Sequence, residues 1–365
     1  MIRDEGTSFD LPLLAAVLSL LAVGLVAVFS ASSVTGLLER GDAAYYFKRQ
    51  LLWAVAGTAA MTVASQFDYH RLRLVTLPLL LVSVAGLVLV LVVGQEISGS
   101  RRWIDLGFLN FQPSELFKLA NILFLSAYLA AAGEEVRTFT RGILPGLVVV
   151  GLGFLLILAE PDFGTAAAMA ATSVLLFFAA GAHLGHLIGL GVAALPALVF
   201  LVVAEPYRVR RLLAFVDPWA DPLDSGWNVI QSLLAIGSGG VFGVGLGQSR
   251  QKFAYLPEQH TDFIFAILAE EFGLLGSLVV VGLFFFVAWR GYRLALKAPD
   301  TYGALLATGL TTMICLQAFL NIGVVTGVLP VTGITLPFIS AGGSSLVVTL
   351  TGVGILLNIS RQIRP

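Results

Sequence analysis

The residue with the clearest chemical potential is Asp262, which lies where a long polar segment meets a strongly apolar run, LPEQHTDFIFAILAEE (residues 256–271). A carboxylate at the mouth of an apolar helix is costly to desolvate, so its presence there needs a reason. One reason is local: Thr261 could be the N-cap, with Asp262 in the first turn, where a negative charge suits the helix dipole. The other is catalytic, because a carboxylate can take a proton from an attacking hydroxyl.

Two further groups of charges precede this one in the chain. Arg101 and Arg102 stand beside Trp103, a pattern typical of an interfacial anchor, although two guanidiniums could also clamp a phosphate or pyrophosphate. Glu115 and Lys118 are spaced i,i+3 in an apolar run and share one helix face. Opposite charges inside a membrane helix are expected to pair and to face the bundle interior or a water-filled cavity, in either a structural or a functional role.

Other polar residues have simpler interpretations. Asp162, in EPDFGT, follows a turn and precedes an apolar run, so helix capping is favoured over chemistry. The segment YRVRRLLAFV carries Arg208, Arg210 and Arg211 and predicts an amphipathic helix on the membrane surface that could meet anionic head groups. The four histidines form no metal-ligand pattern, so no metal site is predicted.

Composition places these residues in a membrane protein. The 365 residues are 58% hydrophobic and 12% charged, with a mean hydropathy of +0.92, whereas soluble domains carry roughly 25% charged residues. Too few polar side chains are available to cover a water-facing surface, which predicts a polytopic membrane protein that also contacts membrane lipids. The net charge of −1 argues against nucleic acid as a partner.

The fold class predicted is an all-α integral membrane domain over residues 1–365, since a span needs about 20 mostly apolar residues. About ten segments meet that requirement: residues 11–30, 47–65, 75–94, 114–132, 142–159, 165–182, 184–203, 263–289, 302–322 and 344–360.

Basic residues set the predicted orientation, because cytoplasmic loops are enriched in Lys and Arg. With both termini in the cytoplasm, the inner segments hold more basic residues than the short outer loops do. The inner set is Arg3, Arg71, Arg73, Arg137, Arg141, Arg290, Arg293, Lys297, Arg361 and Arg364. Residues 228–247 are apolar but glycine-rich towards their end and make a poor helix, so we interpret them as a re-entrant or interfacial element. They belong to one large extracytoplasmic loop, residues 204–262, which places Asp262 on the outer face.

Five long motifs carry a resemblance to a known family. They are RRWIDLGFLNFQPSE, EPDFGT, DPWADPLDSGWNVIQSLLAIGSGGVFGVGLGQSRQK, LPEQHTDFIFAILAEE and NIGVVTGVLPVTGITLPFISAGGSS. From about residue 65 to the C-terminus the chain resembles the shape, elongation, division and sporulation (SEDS) proteins. FQPSE with the preceding RWIDLG looks closer to the elongation members (RodA) than to the division members (FtsW).

The resemblance implies a peptidoglycan glycosyltransferase of the bacterial cytoplasmic membrane. Such a protein polymerises lipid II into a nascent glycan strand at the outer face, beside a class B penicillin-binding protein that crosslinks the strands. The family's essential acid matches Asp262, its intramembrane pair matches Glu115 and Lys118, and its loop arginine matches Arg102.

A mechanism follows as a hypothesis in which Asp262 is the catalytic base that deprotonates the acceptor hydroxyl. Positive charge must then stabilise the departing pyrophosphate. The candidates for substrate binding are Arg102, Arg210 and Lys118, with Arg101, Arg208 and Lys252 as further candidates, and Glu115 would set the charge state of Lys118. A divalent cation (Mg or Mn) could share the pyrophosphate charge, but no dedicated ligand set is visible, so no cofactor is predicted.

Two other functions fit parts of the sequence. A lipid II flippase would also place charges such as Glu115 and Lys118 inside the membrane, although no inverted repeat of discontinuous helices is visible. A non-catalytic scaffold for the penicillin-binding protein would have no need of a desolvated acid at the mouth of an outer helix.

Overall fold

The protein is described by a computed structural model that covers residues 9–97, 100–105, 107, 110–253 and 255–363. Arg3 and Arg364, two of the basic residues used for the orientation, lie outside the described residues. The helices are α1 (Leu11–Arg40), α2 (Tyr45–Gln66), α3 (Leu72–Val93), α4 (Pro113–Ala132), α5 (Leu144–Ala159), α6 (Phe163–Ala179), α7 (Leu184–Val203), α8 (Pro206–Val216), α9 (Trp227–Gly239), α10 (Ile264–Lys297), α11 (Thr301–Val325) and α12 (Gly343–Gln362). The strands are β1 (Gln95–Ile97), β2 (Ser100–Asp105) and β3 (Asn110–Phe111).

The helices confirm an all-helical polytopic membrane protein. Within the described chain, eight are long and apolar enough to cross a membrane: α1, α3, α4, α5, α7, α10, α11 and α12. Helix α6 is apolar but shorter, and α2 has 22 residues and carries charge in its first turns. Each of the ten predicted spans overlaps one of these ten helices. Helices α4, α11 and α12 form much of the buried centre, whereas α7 has no buried residue and faces outward along its length.

A small antiparallel sheet joins α3 to α4, and the sequence analysis did not predict it. Strand β2 pairs with β1 on one side, Glu96 opposite Arg101, and with β3 on the other, Ile104 opposite Phe111. Successive side chains of a strand point to opposite faces. Arg102 and Trp103 therefore point to different sides of β2, which decides how each of them is used.

Helix α10 is broken near its start, where a continuous span was predicted. Gly273 has φ of +67°, and a Cβ atom there would lie 2.3 Å from the backbone nitrogen of Gly243. Only glycine permits both this backbone conformation and this close approach. Helix α10 therefore consists of a short segment that is buried up to Glu271, followed after the break by a long segment.

The glycine-rich turn that follows α9 satisfies the backbone groups exposed by this break. Val244 and Gly245 donate their N–H groups to the carbonyls of Glu270 and Glu271 at 3.0 and 3.1 Å, and Leu274 donates to Gly240 at 2.9 Å. Irregular backbone at membrane depth is tolerated where protein supplies the missing hydrogen bonds. Helix α9 has 13 residues, too few for a span of about 20. These features agree with the predicted re-entrant element, whose place in a membrane stays a prediction.

Candidate functional site

Asp262 is not a helix cap. Helix α10 begins after Phe263, and its N-terminus has no side-chain cap hydrogen bond. Instead, the backbone of Asp262 is held from two sides: Asn321 of α11 donates to its carbonyl at 2.7 Å, and Ser340 donates to the carbonyl of Thr261 at 2.6 Å. The carboxylate lies beside Gly333, where a Cβ atom would be 3.6 Å from Oδ2. The backbone at Asp262 is thus held in place by these contacts, and its side chain has no helix-capping role.

The electrostatics of Asp262 suit a proton acceptor. The pKa of Asp262 is raised from 3.8 to about 7, mainly by burial and then by the neighbouring charges of Glu258 and Asp162. The positive charges of Arg102 and Arg211 act in the opposite direction and lower this pKa. A carboxyl with a pKa near the working pH combines a useful fraction of ionised form with a strong pull on a proton.

Arg102 is anchored in the turn between α5 and α6. Its Nε donates to the carbonyl of Glu160 at 3.2 Å, its guanidinium also donates to the carbonyl of Pro161, and Nη1 lies 3.9 Å from the carboxylate of Asp162. Asp162 caps α6 by accepting from the N–H of Thr165 at 3.1 Å, which confirms the capping interpretation. The turn therefore fixes the guanidinium as a preset positive charge.

Three arginines meet at one cavity of about 100 Å³, which we call the arginine cavity. Arg102 reaches it from β2, and Arg208 and Arg211 reach it from α8. Thr332, on the loop before α12, also lines it, and its hydroxyl has no hydrogen-bond partner among the residues that the structure describes. Asp262 does not line this cavity, but its carboxylate lies beside Gly333, next to Thr332, and is near enough to Arg102 and Arg211 for their charges to lower its pKa. Three guanidiniums and a hydroxyl around one cavity form a site that can hold phosphate oxygens.

The structure selects among the predicted basic residues. Arg210 and Arg211 are both exposed, but only Arg211, which was not among the candidates chosen from the sequence, lines the arginine cavity. Helical spacing explains the difference: Arg208 and Arg211 are three residues apart and share a face, while Arg210 projects elsewhere. Arg101 is also exposed, since strand alternation turns it away from the side on which Arg102 lies.

We expect Arg211→Gln to lower phosphate-ligand binding and catalytic rate, because it removes one of three convergent charges. The loss should be about tenfold or more, within the range for a charged hydrogen bond. Arg210→Gln is the matched control on the same helix and should stay within about twofold. The measurement is the rate of substrate turnover for both purified variants. Equal losses would show that α8 acts through its general charge and not through this cavity.

Glu160 is a buried acid that the sequence analysis did not assign. It is fully buried, and neither carboxyl oxygen has a hydrogen-bond partner among the described residues. The pKa of Glu160 is raised to about 9, mainly by burial and also by the charge of Asp162, while the charge of Arg102 acts in the opposite direction. Glu160 is therefore neutral at pH 7.

Glu115 and Lys118 form the predicted pair inside the bundle. Nζ of Lys118 lies 2.9 Å from Oε1 of Glu115 and donates to the amide oxygen of Gln317 at 2.9 Å. Both charged side chains are buried, and the second oxygen of Glu115 has no hydrogen-bond partner in the described chain. Neither residue lines the arginine cavity, so their contribution to any chemistry there is indirect in this structure.

Lys252 lies in a different buried cluster. Its Nζ is 4.0 Å from Glu271 and donates to the carbonyl of Gly247, and it does not line the arginine cavity. The neighbouring Glu270 accepts from the hydroxyl of Ser249 and from the N–H of Arg250 at 3.1 Å. These contacts tie the segment after the glycine-rich turn to the short part of α10, which gives Lys252 a structural partner.

Fold and site together define a polytopic helical membrane protein with a cationic, carboxylate-bordered site at one end of its bundle. Comparison with known proteins identifies the family. The family model FTSW_RODA_SPOVE, described as "Cell cycle protein", matches residues 11–365. The chain belongs to this family, the SEDS proteins.

Individual relatives agree over nearly the whole length. Stage V sporulation protein E of Bacillus subtilis is 48% identical over 100% of both chains. A probable peptidoglycan glycosyltransferase FtsW of Geobacter sp. is 43% identical over 100% of this chain and 99% of its own. Among solved structures, rod shape determining protein RodA of Thermus thermophilus is 30% identical, with a TM-score of 0.73 over 98% of each chain.

A second solved structure comes from a peptidoglycan synthase complex, described as coordinating polymerisation and crosslinking. Its matching chain is 33% identical, with a TM-score of 0.80 over 97% of this chain and 98% of its own. The family resemblance from the motifs is thereby confirmed. The resemblance to the elongation subgroup is not confirmed in the same way, since the relatives described above are sporulation and FtsW proteins.

Proposed function

We propose that this chain is a peptidoglycan glycosyltransferase that joins lipid II units into glycan strands. The observation that carries the proposal is a carboxylate, Asp262, with a pKa near 7 and with the charges of Arg102 and Arg211 close enough to perturb that pKa. The relatives named peptidoglycan glycosyltransferase support the same activity. A base and a pyrophosphate-binding group are the two parts that glycosyl transfer from a lipid pyrophosphate requires.

The proposed reaction forms one bond and breaks one. The acceptor's sugar hydroxyl attacks the anomeric carbon of the donor, and its proton passes to a carboxylate oxygen of Asp262. The bond from that carbon to the pyrophosphate oxygen breaks, and the pyrophosphate leaves with the electron pair. Arg102, Arg208 and Arg211 bind it in the arginine cavity, where preset charges stabilise the developing negative charge. The arrangement differs from that of glycosidases, which use two carboxyl groups.

We propose further that the site faces outward from the bacterial cytoplasmic membrane, with both termini in the cytoplasm. The distribution of basic residues supports this orientation. A divalent cation (Mg or Mn) could bind together with the pyrophosphate oxygens. Among the described residues, no group of three or more His, Cys, Asp or Glu is arranged to hold a metal, so the cation would depend on the substrate for ligands.

A crosslinking partner is proposed from the relatives. A class B penicillin-binding protein would crosslink the strands that this chain makes. The similar structure from a complex that coordinates polymerisation and crosslinking supports such a partner. Copurification of the two proteins from membranes, followed by assay of both activities, tests this part of the proposal.

The cellular role of this activity has three candidates: elongation, division and sporulation. The motif FQPSE with RWIDLG favours elongation, as in RodA. The higher identity to the sporulation protein (48%) and to an FtsW protein (43%) than to the RodA structure (30%) favours a sporulation or division role. Depletion distinguishes them: rounded cells indicate elongation, filaments indicate division, and a defect confined to spores indicates sporulation.

Polymerisation of purified lipid II by the purified protein, with its partner present, tests the activity. We expect glycan strands to form. Equilibration of labelled lipid II across a vesicle membrane, without strands, would favour the flippase. A stable complex with the partner that yields neither result would favour the scaffold.

A further inference from the structure

A second cavity, of about 200 Å³, lies on the other side of the Asp262 segment and is not used by the mechanism above. We call it the aromatic cavity. Its lining combines aromatic rings with planar polar side chains: Tyr46, Arg49, Gln50, Trp53, Trp103, Asn110 and His260, with Thr261 and residues 341–343. It is smaller than the pockets of drug-sized ligands, which begin at about 300 Å³, and its size suits one sugar ring.

Consecutive residues connect the two cavities. Arg102 lines the arginine cavity and Trp103 lines the aromatic cavity, as expected for neighbours on one strand. Thr261 lines the aromatic cavity, and the next residue, Asp262, turns its carboxylate towards Gly333, next to Thr332 of the arginine cavity. The segment with the carboxylate is therefore the partition between the cavities.

Specific contacts hold the walls of the aromatic cavity in place. Gln50 is buried, donates to the carbonyl of Ser340 at 3.0 Å and accepts from the N–H of Gly342 at 3.3 Å, which fixes the loop before α12. A Cβ atom at Gly343 would lie 2.1 Å from the ring of Trp53, so only glycine lets that ring lie against the backbone. Both contacts preserve an open space between α2 and this loop.

Polar atoms remain available for a ligand. Nδ1 of His260 is buried and has no hydrogen-bond partner among the described residues, and its ring packs against Tyr46 with centroids 4.6 Å apart. Burial lowers the pKa of His260 from 6.5, so the ring is neutral at pH 7 and its nitrogens can donate or accept. Trp53, Trp103 and Asn110 are each partly exposed.

We infer that the aromatic cavity binds the terminal sugar of the acceptor and presents its hydroxyl to Asp262. The inference rests on the proposed function and adds to it which part of the substrates each cavity binds. The donor pyrophosphate occupies the arginine cavity, and the uncharged sugar of the acceptor occupies the aromatic cavity. Aromatic faces cover the apolar face of a pyranose ring, while amide and imidazole groups bond its hydroxyls. The proton of the acceptor hydroxyl then passes from the aromatic cavity to the carboxylate of Asp262.

The test uses a fluorescently labelled GlcNAc–MurNAc tetrasaccharide without a lipid or pyrophosphate, titrated against the full protein in nanodiscs. We expect saturable binding to wild type. Asn110→Ala and Trp53→Ala should each raise the Kd about tenfold, the loss of one hydrogen bond or one aromatic contact in a desolvated site. Trp219→Ala, a tryptophan that is 64% exposed and outside both cavities, is the matched control and should bind as wild type does.

Arg211→Gln separates the two sides, because it lies in the arginine cavity and should leave tetrasaccharide binding within about twofold. Lipid II polymerisation by the same wild-type sample is measured in parallel. If wild type polymerises but does not bind the tetrasaccharide, or if Asn110→Ala and Trp53→Ala bind it normally, the inference is wrong. If the Trp53→Ala protein does not fold, the Kd of Asn110→Ala for the tetrasaccharide decides whether the inference holds. If wild type does not polymerise, the proposed function fails, whatever the binding result.

Discussion

Asp262→Asn should reduce polymerisation by about 10²–10⁴-fold, the range for loss of a general base, and should leave the fold intact. Asparagine preserves the shape of the side chain but cannot accept the proton. The raised pKa of Asp262 also predicts how this substitution affects thermal stability. Because the folded pKa of Asp262, about 7, lies above its ordinary value of 3.8, the ionised form costs stability at every pH above that ordinary value. At pH 8 the variant should therefore unfold at the same or a higher temperature than wild type.

The matched control for this substitution is Asp221→Asn, an exposed aspartate in the same segment between α7 and α10 whose side chain accepts from the N–H and the hydroxyl of Ser225. It should retain wild-type activity. The measurements are strand formation from lipid II and the midpoint of thermal unfolding, on the same preparations. An active Asp262→Asn protein would remove Asp262 from the chemistry. An inactive one with a strongly lowered midpoint would mean that the residue acts through the fold.

Lys118→Ala should cause the largest loss of stability of any single change proposed for this chain. It leaves the carboxylate of Glu115 buried without its partner at 2.9 Å, and breaking a buried pair in this way costs about 3–5 kcal/mol. The thermal midpoint in a fixed detergent or nanodisc should fall by several degrees. The loss has one cause, a buried carboxylate left without its cation.

The double variant Glu115→Gln, Lys118→Met separates structure from function. It removes both charges and keeps the volumes, and replacing a buried pair with matched uncharged residues is often neutral. We expect its stability to return to within about 1 kcal/mol of wild type. Restored stability with restored polymerisation would assign the pair a structural role. Restored stability without polymerisation would assign it a part in the reaction, although neither residue lines the arginine cavity.

Much of the fold follows directly from sequence patterns. Long apolar runs predicted ten segments, each of which overlaps a helix, because burial in lipid demands about 20 apolar residues per span. The i,i+3 spacing predicted the Glu115–Lys118 pair, which depends only on one helix. The prediction that Asp162 caps a helix also depended only on local sequence, since its partner is the N–H of Thr165 three residues later.

The parts that were missed depend on tertiary contacts. The break at Gly273 could not be inferred from its own apolar surroundings, because the partner that satisfies it, the turn at residues 240–247, is distant in the chain. Glu160 was not assigned, since its raised pKa arises from burial, which a turn sequence does not predict. Arg211 could have been selected: its i,i+3 relation to Arg208 was readable once the segment was taken as a helix.

The aromatic cavity could not be predicted from the sequence, because distant segments of the chain form it. Its lining comes from α2, β2 and β3, from the segment before α10 and from the loop before α12. No local pattern links these segments. Only the small sheet, which itself was not predicted, turns Arg102 and Trp103 to opposite sides and so separates the two cavities.

The most direct test of the central claim, that Asp262 accepts the proton, is the pH dependence of polymerisation by the unaltered protein. The rate at low lipid II concentration, measured from pH 5 to 9, reports the ionisation of the essential base in the free enzyme. With the pKa of Asp262 near 7, the rate should rise about tenfold per pH unit below 7 and level off above it. A rate that is already constant from pH 5 upward would show that the base ionises at an ordinary carboxylate pKa or is not required, and would contradict the role of Asp262.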